Sequence, residues 1–301
     1  MVRPVSEMLP PLSAGDCGRI CAVAGQSQRD LQECAARYAD LFPANPFDPA
    51  LFSTIALANA FCAPWLGADE LRIANRATLW AFGLDWLIDY LAKSPEEVHD
   101  VVRRCELVAD GGTPAAGDPI GRFLAEIHAE LAAAAAFPAL YEVWRQEFQR
   151  MLDAMVREWG WQSRRTTDPH AALPSFEEYL ANADNICFSF VYVSHWVTTS
   201  GPPPVRHIEE LLAAGRATQR VIRLLNDIGT YDRDRTWGDL NVMMLGVSAE
   251  DLDRHIAALA AQCEEQLRRL HADSPQLAVF LARYIRFNSG FYRTTDYWGT
   301  L

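Results

Sequence analysis

The chain has 301 residues, of which 50% are hydrophobic and 22% are charged, so it can form a globular domain with a core of its own. Its formal net charge is −12, and it contains no block rich in Lys or Arg. We therefore expect no nucleic-acid partner, because neutralising phosphates requires a basic surface. An anionic ligand of so acidic a protein would need metal cations.

Helix signals recur along the chain, whereas the extended period-two alternation of strands is missing. The Pro-rich residues 1–15 are predicted to form a flexible segment. Clear helix starts follow Ser94, Ser175 and Ser248, each with acidic residues in the first turn. The patterns predict about ten helices, near residues 17–41, 48–62, 68–92, 95–110, 119–136, 139–163, 175–200, 205–234, 248–272 and 275–292. We therefore predict one all-α domain over residues 16–301.

Three absent signals narrow the class of protein further. The seven cysteines are scattered and form no Cys-x-x-Cys pair, so neither a zinc site nor a disulfide framework is indicated. The N-terminus lacks the charged-then-apolar pattern of a secretion signal. The longest apolar run, Leu131–Leu140, contains Pro138 and is too short to span a bilayer. We expect a soluble cytoplasmic protein without membrane insertion.

Two predicted helices include stretches that are apolar nearly all round, over residues 79–91 and 221–229. A helix that is apolar on every side is buried. Polar groups on a buried helix need partners, and ionised groups need strong ones. The polar residues of these stretches are therefore the first candidates for function.

Asp85 and Asp89 form the first candidate site. They are four residues apart and so share one face of a helix. Two bare carboxylates this close repel each other, and a divalent cation removes the conflict. Magnesium favours one or two carboxylates together with waters and substrate phosphates. The alternative is a pair of exposed acids near a helix end, since such pairs are common.

Asn226, Thr230 and Asp234 form the second candidate site. They recur at every fourth position and so line one stripe of a helix. An amide oxygen, a hydroxyl and a carboxylate are all hard oxygen ligands suited to Mg²⁺. Arg233 stands beside the last ligand and could contact the same anion. The alternative is a solvated helix end, which accounts for the polar residues 231–235 but not for Asn226 directly after two leucines.

The two sites together resemble the two metal motifs of class I terpene synthases. The first motif of that family is Asp-Asp-x-x-Asp, and Asp85 and Asp89 match its first and last positions. The second motif is Asn/Asp-Asp-x-x-Ser/Thr-x-x-Lys/Arg-Glu/Asp. Its three ligands and its basic position are matched by Asn226, Thr230, Asp234 and Arg233. The resemblance extends over residues 70–301 and includes residues 238–242 and 290–297.

This resemblance implies a fold, a cofactor and a reaction. It implies a helical bundle around an apolar pocket, with the two motifs on facing helices at the mouth. It further implies that three Mg²⁺ ions hold the diphosphate of a prenyl substrate. The enzyme would ionise that substrate and cyclise the carbocation, releasing diphosphate. A prenyl diphosphate is thus the expected partner, and homodimer formation is left open.

The chain departs from the family pattern at three places. Trp86 replaces the second aspartate of the first motif and cannot bind metal, and Asp234 replaces the commoner Glu. More importantly, bacterial members carry a diphosphate-sensing arginine in the helix before the second motif, and residues 179–186 contain none. Arg293 and Tyr297, four apart near the C-terminus, are predicted to share a helix face and to compensate.

Aromatic side chains are candidates for stabilising a carbocation by cation–π attraction. Ordinary core packing explains the same helical spacing of aromatics and stays the alternative for each of them, and a structural role is favoured for His195. The helix over 175–200 is expected to break near Ile186–Ser189. The candidates that would line the pocket are Trp80, Phe82, Phe188, Tyr192, Tyr292 and Trp298.

Substrate length does not follow from the motifs. The unusual first motif and the missing sensor arginine are similar to those of bacterial ent-kaurene-synthase-like enzymes, whose substrates are bicyclic C20 diphosphates. A C20 substrate is therefore favoured, with C15 farnesyl diphosphate as the alternative. Two other functions stay open, a head-to-head prenyl synthase of the squalene or phytoene type and a non-catalytic helical binding protein. The former would need an aspartate in place of Thr230 or Tyr231.

Overall fold

The structure is a computed structural model that describes residue 9 and residues 11–168, 170–199 and 207–299. It is 77% helical, with no strand in the part of the chain it describes, which confirms the all-α prediction. Most of the predicted flexible segment lies outside the described residues. So does the Gly-Pro-rich stretch after Thr199 that ends the helix predicted over residues 175–200.

Eleven α-helices are seen over the described residues, close to the predicted ten. They are α1 (Ala14–Arg37), α2 (Pro49–Cys62), α3 (Ala68–Asp85), α4 (Pro95–Ala109), α5 (Pro119–Ala132), α6 (Phe137–Thr167), α7 (Phe176–Ala181), α8 (Phe188–Thr199), α9 (Ile208–Trp237), α10 (Ala249–Leu270) and α11 (Pro275–Phe291). The three start signals are confirmed, because Ser94, Ser175 and Ser248 each accept a hydrogen bond from the N–H three residues further on.

Two long inner helices organise the packing. Helix α3 packs against α1, α5 and α8, and helix α9 packs against α8, α10 and α11. Helices α2 and α11 contact each other and close a further side. The buried apolar side chains form one continuous core, which includes most of the two stretches predicted to be buried. No helix among the described residues is long and apolar enough to cross a membrane, and all seven cysteines are unpaired.

The helix predicted over residues 68–92 changes type at the first motif. Helix α3 ends at Asp85, and Trp86–Leu91 continues as a π-helical turn. Such turns are rare and occur most often at functional sites. Asp85 directly precedes this turn and Asp89 lies within it, so local backbone geometry and not regular α-helix sets their spacing.

The interruption predicted before α8 is confirmed. A 3-10 turn covers Ala183–Ile186, and Cys187 then has a φ of 62°, a left-handed conformation that residues other than glycine rarely adopt. Gln219 of α9 fixes this break. Its side-chain oxygen accepts a hydrogen bond from the Ser189 N–H (2.7 Å), and its amide nitrogen donates to Asp184 Oδ1 (2.6 Å).

We expect Gln219→Ala to lower the free energy of unfolding by about 1–3 kcal/mol, because the buried Ser189 N–H and Asp184 Oδ1 lose their partner, while Asp184 Oδ2 keeps its bond from Arg150. Urea unfolding followed by circular dichroism measures the change. Arg220→Ala, at an exposed position one residue along α9, is the control and should shift stability little. Equal stability of the two variants would mean that Gln219 does not hold the break.

Candidate active site

A deep cavity lies between α3 and α9, and side chains of α2, α6, α8 and α11 complete its wall. It has about 1170 Å³ of empty space when the solvent at its mouth is included. Half-buried polar side chains surround the mouth. Those that belong to the two motifs or lie next to them are Asp85, Asp89, Asn226, Arg233 and Asp239. Further in, the wall is mainly apolar and includes Ile55, Ala58, Ala81, Phe82, Phe188, Val191 and Ile222.

Asp85 and Asp89 both line the cavity and their side chains are hydrogen-bonded to each other. Burial raises the pKa of Asp85 to about 6. Burial, and then the charges of Asp85 and Asp239, raise the pKa of Asp89 well above its ordinary value. Without a cation the pair therefore shares a proton, as expected for two carboxylates held close together out of water. Trp86, which replaces the second aspartate of the first motif, stacks on Tyr90 with ring centroids 5.0 Å apart.

The stripe on α9 is also present as predicted. Asn226 lines the cavity, and the buried Thr230 hydroxyl donates to Asp234 Oδ2 at 2.6 Å and contacts the Asn226 carbonyl at 2.9 Å. Asn241 Nδ2 donates to the same Asp234 oxygen at 2.9 Å. Asn241 follows the second motif and was not singled out in the sequence. Its amide fixes the carboxylate that faces the cavity mouth.

Arg233 connects this stripe to the end of the chain. Its Nη2 donates to Asp234 Oδ1 (3.1 Å) and its Nη1 to Asp296 Oδ2 (2.8 Å). Asp296, close to the C-terminus, thus pairs with the basic residue of the second motif. Close packing supports the contact, because a Cβ added to Gly229 would lie 2.7 Å from the carbonyl oxygen of Tyr292. A larger residue at this position would push the C-terminal segment away.

The donor set fits a magnesium site that is completed by its substrate. Among the described residues, no three His, Cys, Asp or Glu side chains converge to hold a metal by themselves. Carboxylate, amide and hydroxyl oxygens instead lie on two helices that face one cavity, at Asp85, Asp89, Asn226, Thr230 and Asp234. This matches the preference of Mg²⁺ for a few carboxylates, with waters and phosphates filling its other positions. A bound cation would take the place of the proton shared by Asp85 and Asp89.

The C-terminal prediction is half wrong. Tyr297 lines the cavity, but Arg293 lies on the surface with 57% of its side chain exposed and pairs with Asp253 at 3.0 Å. The reason is that α11 ends at Phe291 and the chain then turns. Arg293 and Tyr297 consequently do not share a helix face, and Arg293 does not compensate for a missing arginine.

Four of the six aromatic residues predicted to line the pocket do so, and two do not. Phe82 and Phe188 line the cavity, as do Tyr292 and Trp298. Trp80 does not, because it is fully buried behind the wall and donates its indole N–H to the Ile120 carbonyl at 3.0 Å. Tyr192 is also fully buried away from the cavity, against Gly215 and Phe280.

His195 has the structural role favoured from the sequence. It is buried and stacks on Phe280, with ring centroids 4.2 Å apart, and burial lowers its pKa to about 3. A neutral imidazole packed in the core does not reach the cavity.

Comparison with known proteins identifies the family. The model of terpene synthase family 2, C-terminal metal binding, matches residues 76–266, which is most of the chain and includes both motifs. The chain belongs to this family. It is therefore a class I terpene synthase, and the alternatives of a head-to-head prenyl synthase and of a non-catalytic binding protein are set aside.

Three proteins similar to this chain are terpene synthases from Streptomyces. It is 28% identical over 279 residues to an ent-pimara-9(11),15-diene synthase from a Streptomyces species, covering 90% of this chain and 91% of that protein. It is 26% identical over 235 residues to a (−)-delta-cadinene synthase from Streptomyces clavuligerus, covering 70% and 65%. Its fold resembles 2-methylisoborneol synthase from Streptomyces coelicolor A3(2), solved with Mg²⁺ and 2-fluoroneryl diphosphate (TM-score 0.73, 17% identity, coverage 93% and 94%).

This terpene synthase has a buried arginine at the cavity that sequence analysis missed. Arg223 lines the cavity with only 6% of its surface exposed. Its Nε donates to the Tyr179 hydroxyl at 2.7 Å and its Nη2 to Glu158 at 2.6 Å. No acceptor for Nη1 is found within the described ranges. Arg223 lies three residues before Asn226 and so extends the stripe of the second motif, which is the signal that could have found it.

Asp239 is a further carboxyl at the mouth and accepts a hydrogen bond from Tyr90 at 2.9 Å. Burial, and then the charge of Asp234, raise its pKa from 3.8 to about 7. The folded protein thus holds this proton more tightly than the unfolded chain does. The resulting stability is fully present below about pH 4 and is lost as the pH rises through 7.

We therefore expect Asp239→Asn to stabilise the metal-free protein at pH 8 much more than at pH 5. The asparagine stays neutral and can still accept from Tyr90. Urea unfolding in the presence of EDTA at both pH values measures the difference, and the exposed Asp232→Asn serves as control. The same effect of Asp239→Asn at both pH values would refute the raised pKa.

Proposed function

We propose that this protein is a magnesium-dependent cyclase that ionises a C20 prenyl diphosphate, of the bicyclic labdane type, and closes further rings in the resulting carbocation. The observation that carries the proposal is the pair of motifs on α3 and α9, facing each other at the mouth of a largely apolar cavity. The similarity to an ent-pimara-9(11),15-diene synthase over nine-tenths of both chains supports the substrate class.

In this proposal Asp85 and Asp89 hold metal from one side, and Asn226, Thr230 and Asp234 hold it from the other. Three Mg²⁺ ions are proposed, as the family resemblance implies. Bound Mg²⁺ stabilises the negative charge that develops on the departing diphosphate. Bound metal would take the place of the proton between Asp85 and Asp89, and the Thr230 hydroxyl would have to turn from Asp234 to serve as a ligand.

The chain's own cations contribute to holding the diphosphate. Arg233 stands at the mouth and is held between Asp234 and Asp296. We propose that Arg223 takes the role of the missing sensor arginine, with Nη1 turned to the anion. Its partners Tyr179 and Glu158 fix the planar guanidinium in place, so the fork is already oriented before substrate binds.

The inner wall protects the cation from water. Apolar side chains hold the hydrocarbon, and the rings of Phe82, Phe188 and Tyr297 line the same space. Each well-placed aromatic face stabilises a cation by about 0.5–2 kcal/mol. Phe82 and Tyr297 pack against each other with ring centroids 5.5 Å apart, so the C-terminal segment forms part of this wall.

A sesquiterpene synthase acting on farnesyl diphosphate is the second candidate, because the chain is also similar to a (−)-delta-cadinene synthase. The deciding experiment incubates the protein and Mg²⁺ with geranyl, farnesyl, geranylgeranyl and copalyl diphosphates. Pyrophosphate release and product mass spectrometry are measured for each. We expect a cyclic C20 hydrocarbon or alcohol, and cyclic C15 products alone would favour the second candidate. Cytoplasmic location and homodimer formation stay predictions of the sequence.

We expect Asp85→Ala and Asn226→Ala each to abolish pyrophosphate release while the protein stays folded. Both residues are proposed metal ligands on facing helices. Asp232→Ala is the matched control, because this acid lies on α9 between the motif residues but is exposed. More than about a tenth of the wild-type rate in either ligand variant, a loss under about 1.4 kcal/mol, would remove that residue from the required ligands.

Replacing the buried arginine should affect turnover far more than replacing the predicted C-terminal one. We expect Arg223→Lys to lose about tenfold or more in kcat/KM, because lysine lacks the planar fork held by Tyr179 and Glu158. Arg293→Ala should stay within about twofold of wild type, since Arg293 makes an exposed surface ion pair. Unfolding curves separate a catalytic loss from a folding defect. Equal activity of the two variants would exclude Arg223 as the anchor.

A further inference from the structure

Three polar side chains form a row of hydrogen bonds in the mainly apolar wall of the inner cavity. The Tyr284 hydroxyl is bonded to Asn59 Oδ1, and Asn59 Nδ2 donates to Asn75 Oδ1 at 2.8 Å. Asn59 and Tyr284 line the cavity, and Asn75 lies behind them. All three are buried, at 0%, 6% and 1% exposure for Asn59, Tyr284 and Asn75.

This polar chain lies far from the metal motifs. Asn75 is ten residues before Asp85 on α3, a distance of about 15 Å along the helix axis. Tyr284 is eight residues before Tyr292, which contacts Asn226 at the mouth, and this corresponds to roughly 12 Å along α11. The group therefore stands beside the distal part of a bound hydrocarbon and out of reach of the diphosphate.

The Ile55 carbonyl sets the direction of these hydrogen bonds. It lies 3.4 Å from Asn59 Nδ2, which also donates to Asn75 Oδ1, whereas an Asn59 oxygen in that place would face the carbonyl oxygen with no hydrogen between them. The Asn59 oxygen is therefore assigned to the side of Tyr284. That oxygen has no hydrogen to donate, so Tyr284 is the donor between them. With its only hydroxyl proton engaged, the Tyr284 oxygen can offer lone pairs to a further group.

We propose that Tyr284 is a product-determining residue, whose hydroxyl oxygen stabilises positive charge on the distal part of the carbocation, and that Asn59 is the positioning residue that keeps its proton turned away. The proposal rests on the proposed function, since it requires a cation in the cavity. The interaction is a charge–dipole attraction and requires no proton or bond transfer. Phe188, whose ring centroid is 4.8 Å from that of Tyr284, adds an aromatic face beside the oxygen.

Such an attraction acts on the later cations of a cyclisation more than on the first ionisation. The diphosphate leaves at the mouth, where the metal motifs and Arg233 lie. Tyr284 can therefore change which cation is stabilised longest, and so which product is formed, without strongly changing how fast diphosphate departs. A residue that only supports the fold would change both together or neither.

The test compares Tyr284→Phe with the matched control Tyr192→Phe. Each variant removes one buried hydroxyl, but Tyr192 lies away from the cavity and its hydroxyl has no partner among the described residues. Pyrophosphate release and the product distribution by gas chromatography–mass spectrometry are measured with whichever diphosphate the wild type consumes. For Tyr284→Phe we expect release within about fivefold of wild type, with the share of the main product falling at least about twofold. Tyr192→Phe should change neither.

Asn59→Ala tests the positioning role, because it frees the Tyr284 proton to turn toward the cavity. We expect a product shift like that of Tyr284→Phe, and no further shift in the double variant, since both changes remove one interaction. An unchanged product distribution in Tyr284→Phe overturns the proposal even if Asn59→Ala fails to fold. Absence of pyrophosphate release by the wild type from every prenyl diphosphate overturns the proposed function itself, which is a different result.

Discussion

Several carboxylates are held at the mouth of an apolar cavity, and the rest of the site depends on how their repulsion is relieved. Burial raises the pKa of Asp85, Asp89 and Asp239, so their charged forms are disfavoured when no cation is present. The first two share a proton, Asp239 accepts from Tyr90, and Asp234 accepts from Thr230, Asn241 and Arg233. Each of these contacts gives a carboxylate a hydrogen-bond partner while no cation is bound. Cations and an anionic substrate together would satisfy the whole group better.

One helix supplies most of this chemistry. Arg223, Asn226, Thr230 and Asp234 follow one another at spacings of three and four residues on α9, so a cation and the three proposed oxygen ligands share one stripe. The stripe is rigid, because the side chain of Gln219 ties α9 to the start of α8. A site that must fix metal ions and an anion within fractions of an ångström benefits from ligands on such a long packed helix.

Local periodicity explains which parts of the site could be predicted. The stripe on α9 follows from residue spacing within one helix, and capping residues indicate the helix starts. The same spacing argument brings Asp85 and Asp89 together, but it does not reveal the π-helical turn that holds Asp89. Arg293 was misplaced because it was assigned to a helix face shared with Tyr297, although both residues lie beyond the predicted helix over 275–292 and beyond the observed end of α11 at Phe291. Trp80 and Tyr192 were misassigned because a helix that is apolar all round does not reveal which face meets a cavity. The role of Arg223 depends on Tyr179 and Glu158, which are distant in sequence and meet it only through packing.

The cavity also has two electrostatically different ends, and this shapes what it can do to a cation. In the proposed reaction, a diphosphate released at the mouth would stay negative and attract the positive charge back toward its origin. Further in, Phe82 and Phe188 offer aromatic faces that attract charge weakly and without direction along the cavity. We propose that the Tyr284 oxygen opposes the pull of the mouth, because Asn59 engages the hydroxyl proton. The balance between the two ends, together with the shape of the wall, would then set how far positive charge migrates before the reaction ends.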